Sequence, residues 1–148
     1  MASDLKAILE PRSIAIIGAS RNPRKRGFQA VRALRDSGFQ GAIQPVHPDG
    51  GELLGLAVAP SVEALEDTPD LAFVCTRAES VPGILEACAR KGVRGAVIPA
   101  VGFRESGAAG AELERAVSEL ARRTGLRIVG PNTSGVLNTS LGLNLVGV

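Results

Sequence analysis

The residues best suited to binding chemistry lie in one loop near the start of the chain. An isoleucine-rich apolar run over residues 14–17 ends at Gly18, and a helix-like pattern begins at Gly27. Four basic side chains lie between or beside these glycines: Arg21, Arg24, Lys25 and Arg26. This order is typical of a buried strand that passes through a phosphate-facing loop into a helix, whose unpaired N–H groups and positive dipole end attract anions. A basic turn exposed to solvent is the alternative, and the Gly-Ala-Ser strand exit favours phosphate binding.

Alternating strand and helix patterns surround this loop. Apolar runs predict strands at residues 13–17, 42–46, 71–75, 95–98 and 127–129. Helical spacing predicts helices at residues 4–9, 27–37, 61–65, 81–91 and 113–124, while residues 49–60 and 102–110 are expected to be loops. The expected fold is a single Rossmann-like α/β domain over residues 1–148, with a parallel sheet of about five strands and helices on both faces.

Ligands of such sheets bind beyond the carboxyl ends of the strands, at the point where the strand order reverses. The loops expected at that edge are residues 18–27, 45–51, 76–80, 99–106 and 131–135. Most of them carry Pro or Gly near the strand exit, as a built site needs and as ordinary turns also require. The candidate site is therefore distributed over several loops.

Composition excludes several classes of function. The chain has 148 residues, 45% hydrophobic and 22% charged, which is typical of one folded domain. A net charge of only +2 and the lack of Trp and Tyr argue against a nucleic-acid surface. Cys75 and Cys88 lack CxxC spacing, so they are expected in the core, and no metal-ligating cluster is visible. Neither a signal peptide nor a membrane span is recognisable, and the cytoplasm is the expected location.

A nicotinamide dinucleotide is an alternative ligand whose sequence motif this chain does not match. The G-x-G-x-x-G motif requires glycine where Ser20 stands. The ribose-binding acid expected at the tip of the second strand is displaced, because Asp49 follows Pro48 and begins an Asp-Gly-Gly turn. A P-loop is excluded, since no Gly-Lys-Ser/Thr closes the loop. An NAD(P)-binding domain remains the less favoured interpretation.

Nine short segments carry a family resemblance, in order, across almost the whole chain: residues 11–20, 38–41, 45–48, 54–55, 60–62, 70–72, 92–97, 102–105 and 130–132. In these segments the chain resembles the CoA-binding domain of the NDP-forming acyl-CoA synthetases, relatives of the succinyl-CoA synthetase α-subunit. The resemblance implies a Rossmann-like domain that binds CoA or acyl-CoA. It also implies a parent acid–thiol ligase or related acyltransferase that forms acyl-CoA.

The expected CoA-binding residues combine this resemblance with the chemistry of the loops. They are Gly18, Ala19, Ser20, Arg21, Asn22, Pro23, Lys25, His47, Pro48, Arg77, Pro99, Ala100, Val101 and Asn132. Basic side chains suit the pyrophosphate and 3′-phosphate of CoA, because Arg offers bidentate contacts and Lys a point charge. His47 is either a hydrogen-bonding group near the ligand or a turn residue that faces solvent.

The chain departs from the family's pattern in four places. Asp49 stands where members often have lysine, which reverses a charge beside the expected phosphates. Residues 76–78 replace Val-Pro-Ala after the third strand, and Arg77 is expected to supply the missing positive charge. The other departures replace a serine and a cysteine of the family: Ala100 or Val101, and Thr133.

Catalysis in the family depends on a phosphorylated histidine in a second domain and on a nucleotide-grasp domain. The single histidine here is His47, on the wrong loop for that role, and no Ser-His-Asp set or paired carboxylates are visible. The chain is therefore expected to bind without turnover, with downstream ligase domains or a partner subunit completing the enzyme. A free-standing CoA-binding or regulatory module is the alternative. The apolar residues 141–148 are expected to be an unfinished end that continues into a parent.

Overall fold

The computed structural model describes residues 2–147. The strands are β1 (Ser13–Ile17), β2 (Ala42–Val46), β3 (Glu52–Leu53), β4 (Leu56–Ala57), β5 (Leu71–Val74), β6 (Gly95–Val97), β7 (Arg127–Val129), β8 (Leu137–Asn138) and β9 (Leu143–Asn144). The helices are α1 (Ala2–Leu9), α2 (Arg26–Asp36), α3 (Val81–Lys91) and α4 (Ala108–Thr124). None of the helices in these described residues has the length and apolarity that crossing a membrane requires.

Five parallel strands form the main sheet, in the order β2-β1-β5-β6-β7. The predicted Rossmann-like α/β fold is confirmed. The chain adds β2 on one side of β1 and then returns to add β5 on the other, so the order reverses between β1 and β5. Such a reversal leaves a crevice at the carboxyl ends of the two strands, because the connections leave in opposite directions.

The two central strands are buried on both faces, which explains their continuous apolar runs. On one face, Ile14, Ile16 and Phe73 pack with residues of α2 and of the C-terminal segment. On the other, Ala15 and Val74 pack with residues of α3 and α4. The sheet is thereby held between two helical layers, and its carboxyl edge stays open for loops.

Two connections differ from the sequence-based expectation. Residues 61–65 form turns, not the predicted helix, and so short a segment has too few hydrogen bonds to offset helix nucleation. Residues 49–60 include the β3–β4 hairpin, which turns at Leu54 (φ 49°) and Gly55 (φ 81°). Two successive positive φ angles are those of a type I′ turn, which fits the twist of a hairpin.

The segment expected to be a loop at residues 102–110 is also more regular than predicted. It holds a 3-10 turn at Arg104–Ser106, and α4 begins at Ala108. Glu105 orders this turn because one carboxylate oxygen accepts hydrogen bonds from the N–H groups of Gly102 (2.5 Å) and Phe103 (3.2 Å). These bonds hold the pKa of Glu105 below its usual value, and the bond from Gly102 has the largest effect.

Of residues 141–148, which are expected to continue into a parent, the structure describes those up to residue 147. In this segment β9 pairs with β8, and Leu143 and Leu145 are 0% and 2% exposed. Both side chains pack with Leu34 and Phe73 in the core layer beside α2. The C-terminal hairpin therefore completes the hydrophobic core.

Replacing Leu143 with alanine tests this packing. We expect Leu143→Ala to lower the free energy of unfolding by about 2–5 kcal/mol, because it removes buried methyl groups and leaves a cavity. Leu141→Ala is the matched control in the same hairpin, since Leu141 is 39% exposed, and we expect it to change stability by about 0.5 kcal/mol or less. Urea unfolding followed by circular dichroism measures both; similar losses would contradict the packing described here.

Candidate functional site

A cleft of about 740 Å³ opens at the carboxyl ends of β1 and β5, where the strand order reverses. Its walls are the loop after β1, the end of β2 and the loop after β5. The predicted site residues that it brings together are Gly18, Ser20, Lys25, His47, Pro48 and Arg77. The cleft thus lies where the topology of the sheet predicts a ligand.

The floor of the cleft depends on two glycines in direct contact. Gly18 directly follows β1 and has φ 90°, and a Cβ there would lie 2.8 Å from the carbonyl oxygen of Cys75. Gly27, in the first turn of α2, would place a Cβ 2.0 Å from the carbonyl oxygen of Gly18. Since neither position has room for a side chain, the start of α2 rests directly on the strand exit.

The N-terminus of α2 is available to an anion. Its N-cap residue, Lys25, makes no side-chain capping hydrogen bond, and the first turn contains no acidic residue. The first N–H groups of a helix have no intrahelical acceptor, and the helix dipole adds partial positive charge there. A phosphate group bound at this end would accept hydrogen bonds from them, and Lys25 and Arg26 both line the cleft beside it.

Small polar side chains give the loop after β1 its shape. The Ser20 hydroxyl accepts from the N–H of Asn22 (3.0 Å), and the Asn22 side-chain oxygen accepts from the N–H of Arg24 (3.0 Å). These local turns leave the Ser20 hydroxyl proton and the Asn22 amide NH2 as further donors. Pro23 lies in the same loop and lines neither the cleft nor the small pocket beside it.

Two of the four basic side chains of the loop donate hydrogen bonds to other segments of the protein. Arg21 donates to the carbonyl of Gly50 (2.7 Å) and so joins the loops after β1 and β2. Arg26 donates to the carbonyl of Ser134 (3.0 Å) and lies over the Phe73 ring, 5.8 Å from its centre. Arg24 lines neither cavity. Sequence reasoning grouped these side chains as phosphate ligands and had no signal for their structural bonds.

A small pocket of about 200 Å³ lies beside the cleft, between the loop after β1 and the tip of β2. Its lining includes Ala19, Ser20, Arg21, Asn22, His47 and Asp49. His47 Nδ1 lies within hydrogen-bond distance of the Asp49 N–H (3.2 Å). The Asp49 carboxylate also lies 3.5 Å from Nδ1. A basic side chain, Arg21, and an acidic one, Asp49, therefore lie together at the tip of β2.

The loop after β5 contributes the predicted Arg77 and, beside it, residues that sequence reasoning missed. Arg77 is 91% exposed and its Nε lies 3.8 Å from the Glu79 carboxylate. Cys75, Thr76, Glu79 and Ser80 also line the cleft. Burial raises the pKa of the Cys75 thiol to about 12, an effect that the charge of Arg26 partly opposes. The signal that could have found these residues is their place directly after the third main strand, at the reversal of strand order.

The remaining predicted site residues lie along the same edge of the sheet, outside both cavities. Pro99, Ala100 and Val101 follow β6, and Asn132 follows β7. The two loops are joined because the N–H of Asn132 donates to the carbonyl of Ala100 (3.1 Å). Asn132 has φ 58°, an uncommon conformation for a residue other than glycine.

The chain resembles known proteins over almost its whole length. The sequence matches the family model of the CoA binding domain over residues 12–139. It is 47% identical over 139 residues to the ADP-forming acetate–CoA ligase II of Archaeoglobus fulgidus, covering 94% of this chain and 21% of the relative. It is 40% identical over 144 residues to the α subunit of the ADP-forming acetate–CoA ligase I of Pyrococcus furiosus, covering 95% of this chain and 31% of the subunit.

A solved structure agrees with these sequence matches. A dinucleotide-forming acetyl-coenzyme A synthetase 1 of Ca. Korarchaeum cryptofilum, in complex with phosphate and ADP, superposes with a TM-score of 0.90 and 36% identity. The match covers 96% of this chain and 30% of that chain. The chain therefore spans less than a third of the length of each of these three proteins.

The contact between the two glycines predicts that a Gly→Ala substitution in a helix lowers the stability of the fold, where such a substitution normally raises it. Gly→Ala in a helix normally adds up to about 1 kcal/mol of stability, and we expect this modest gain for Gly83→Ala in α3, whose Cβ would have nothing within 4 Å. For Gly27→Ala we expect a loss of about 1–3 kcal/mol, because the new methyl group collides with the Gly18 backbone. Chemical unfolding measures both variants, and a stabilising Gly27→Ala would contradict the close contact.

Proposed function

The chain belongs to the CoA-binding domain family, and on this premise we propose that it holds CoA for a larger NDP-forming acyl-CoA synthetase. The observation that carries the proposal is the cleft at the strand-order reversal, built on an uncapped helix N-terminus, in a chain 47% identical to an acetate–CoA ligase. The acyl group, the nucleotide and the other domains belong to the parent and are part of the proposal.

The N-terminus of α2 is the proposed pyrophosphate site. Its backbone N–H groups donate to phosphate oxygens, and the direct contact between Gly27 and Gly18 holds this end of the helix at the strand exit. Lys25 and Arg26 line the same side of the cleft and offset the negative charge. Arg77, on the opposite wall, is exposed enough to turn toward a bound phosphate.

The loops after β6 and β7 are the proposed path for the rest of CoA. Pro99, Ala100 and Val101 offer a largely apolar surface, which suits the pantetheine chain, and Asn132 offers an amide to its polar groups. Glu105 fixes the first of these loops through its bonds to the backbone, and the Asn132–Ala100 bond fixes the second against it. The reactive thiol would then emerge at this end of the edge.

The chain's part in the reaction is to bind and orient CoA. In the parent, the CoA sulfur would form a bond to the acyl carbon of an acyl phosphate, and the bond from that carbon to the phosphate oxygen would break. The sequence contains one histidine, His47, which lines the nucleotide cleft, so a phosphoryl-carrying histidine must come from elsewhere. Further ligase domains or a partner subunit are the proposed source.

Calorimetric titration of the chain with CoA tests this function, with NAD and ADP as comparison ligands. We expect CoA to bind at least about tenfold more tightly than NAD, because Ser20 stands where the Gly-x-Gly approach of a dinucleotide site needs its second glycine. Tighter binding of NAD, or no binding of CoA, would overturn the proposal. ADP shares the nucleotide end with CoA, so its affinity reports how much the pantetheine path contributes.

Arg77 tests the phosphate-facing wall of the cleft. We expect Arg77→Ala to weaken CoA binding by about three- to tenfold at low salt, and less at high salt, because the side chain is 91% exposed and its charge is screened. Arg122→Ala is the matched control, since Arg122 is an exposed cation in the last turn of α4, at the opposite edge of the sheet. Equal effects of the two substitutions would mean that Arg77 acts only through net charge.

A further inference from the structure

The tip of β2 carries an acid at the place where this kind of fold holds a ribose. In nucleotide-binding α/β folds the phosphates lie at the first helix N-terminus and the ribose lies beside the end of the neighbouring second strand. An acid at that tip accepts a hydrogen bond from a free ribose hydroxyl, whereas an arginine there accommodates a ribose phosphate. Here β2 is paired with β1, and Asp49 faces the loop after β1 across the small pocket.

The turn that carries Asp49 is fixed by backbone contacts, so its Cα stays beside the pocket. The Gly50 N–H donates to the His47 carbonyl (2.9 Å), the Asp49 N–H donates to His47 Nδ1 (3.2 Å), and the His47 N–H donates to the carbonyl of Ala59 (2.9 Å). Arg21 holds the turn from the other side through its bond to the Gly50 carbonyl. Asp49 is thereby anchored by backbone contacts that do not depend on its own carboxylate.

The chemistry of the pocket favours a hydroxyl over a phosphate. A carboxylate only accepts hydrogen bonds, so a sugar hydroxyl can donate to Asp49, while a phosphate dianion offers it no proton and repels it. The Asp49 side chain is 79% exposed, which makes this repulsion modest and sensitive to salt. Arg21 lines the same pocket and uses one of its five N–H donors at the Gly50 carbonyl, so Asp49 opposes a cation that is held at the turn.

We propose that Asp49 is a specificity-determining residue that limits how much the 3′-phosphate of CoA contributes to binding. The inference rests on the proposed function, because it assumes that the ribose end of CoA lies at the tip of β2. It assigns the cleft two separate tasks. The N-terminus of α2 binds the pyrophosphate, and Asp49 sets the preference between ribose with a free hydroxyl and ribose with a phosphate.

The test compares CoA with dephospho-CoA, which lacks only the 3′-phosphate, on the wild-type chain and on Asp49→Asn and Asp49→Lys. We expect the ratio of the two dissociation constants, dephospho-CoA over CoA, to rise about threefold in Asp49→Asn and about tenfold in Asp49→Lys. This rise in the ratio should come from tighter binding of CoA, and it should be smaller at high salt. Circular dichroism checks that the exposed substitutions leave the fold unchanged.

Glu79→Gln is the matched control, because it removes an exposed carboxylate that lines the cleft on the wall away from β2. We expect it to shift both dissociation constants alike and to leave their ratio unchanged. A ratio that moves by less than about 1.5-fold in both Asp49 variants, or as much in Glu79→Gln, overturns the role of Asp49 while CoA binding stands. Failure of the wild-type chain to bind either ligand overturns both this inference and the proposed function.

Discussion

The close contact between Gly18 and Gly27 is the constraint on which the rest of the site depends. Their backbones meet at a distance that leaves no room for a Cβ, so the start of α2 is pressed onto the end of β1. This contact brings an uncapped helix N-terminus to the crevice between β1 and β5. The walls of the cleft are then added by the ends of β2 and β5, whose places in the sheet follow from the same parallel topology.

The side chains around this contact separate into those that hold the loops and those that face the cleft. Arg21 and Arg26 belong to the first group, since each donates to a carbonyl on another segment, at Gly50 and Ser134, and Arg26 also lines the cleft. Arg26 therefore links the floor of the cleft to the C-terminal hairpin, whose Leu143 closes the core beside Phe73. A basic side chain in a phosphate loop can serve the fold even when no ligand is bound.

The sequence predicts most of the fold because its central strands have unmistakable apolar runs. The limits of β1, β2 and β7 agree with the prediction, and β5 and β6 are each one residue shorter than predicted. The errors concern short segments whose structure is decided by distant contacts, such as residues 61–65. For the site, the strand exits could be predicted from topology, and Arg77 was singled out by its charge. The bond from Arg26 to Ser134 depends on three-dimensional packing, which no local pattern records.

The charges of the cleft argue that affinity and selectivity have different physical sources here. The cleft is lined by Lys25, Arg26, Arg77 and Glu79, and Asp49 lines the small pocket beside it, so side-chain charges of both signs are present and those that are exposed are screened by salt. The N–H groups at the start of α2 are fixed by the fold and need no reorganisation when an anion arrives. Where an anion site is made of backbone N–H groups, substitutions of the surrounding acidic and basic residues therefore leave that site in place. Such substitutions change instead which phosphorylated ligand binds more tightly.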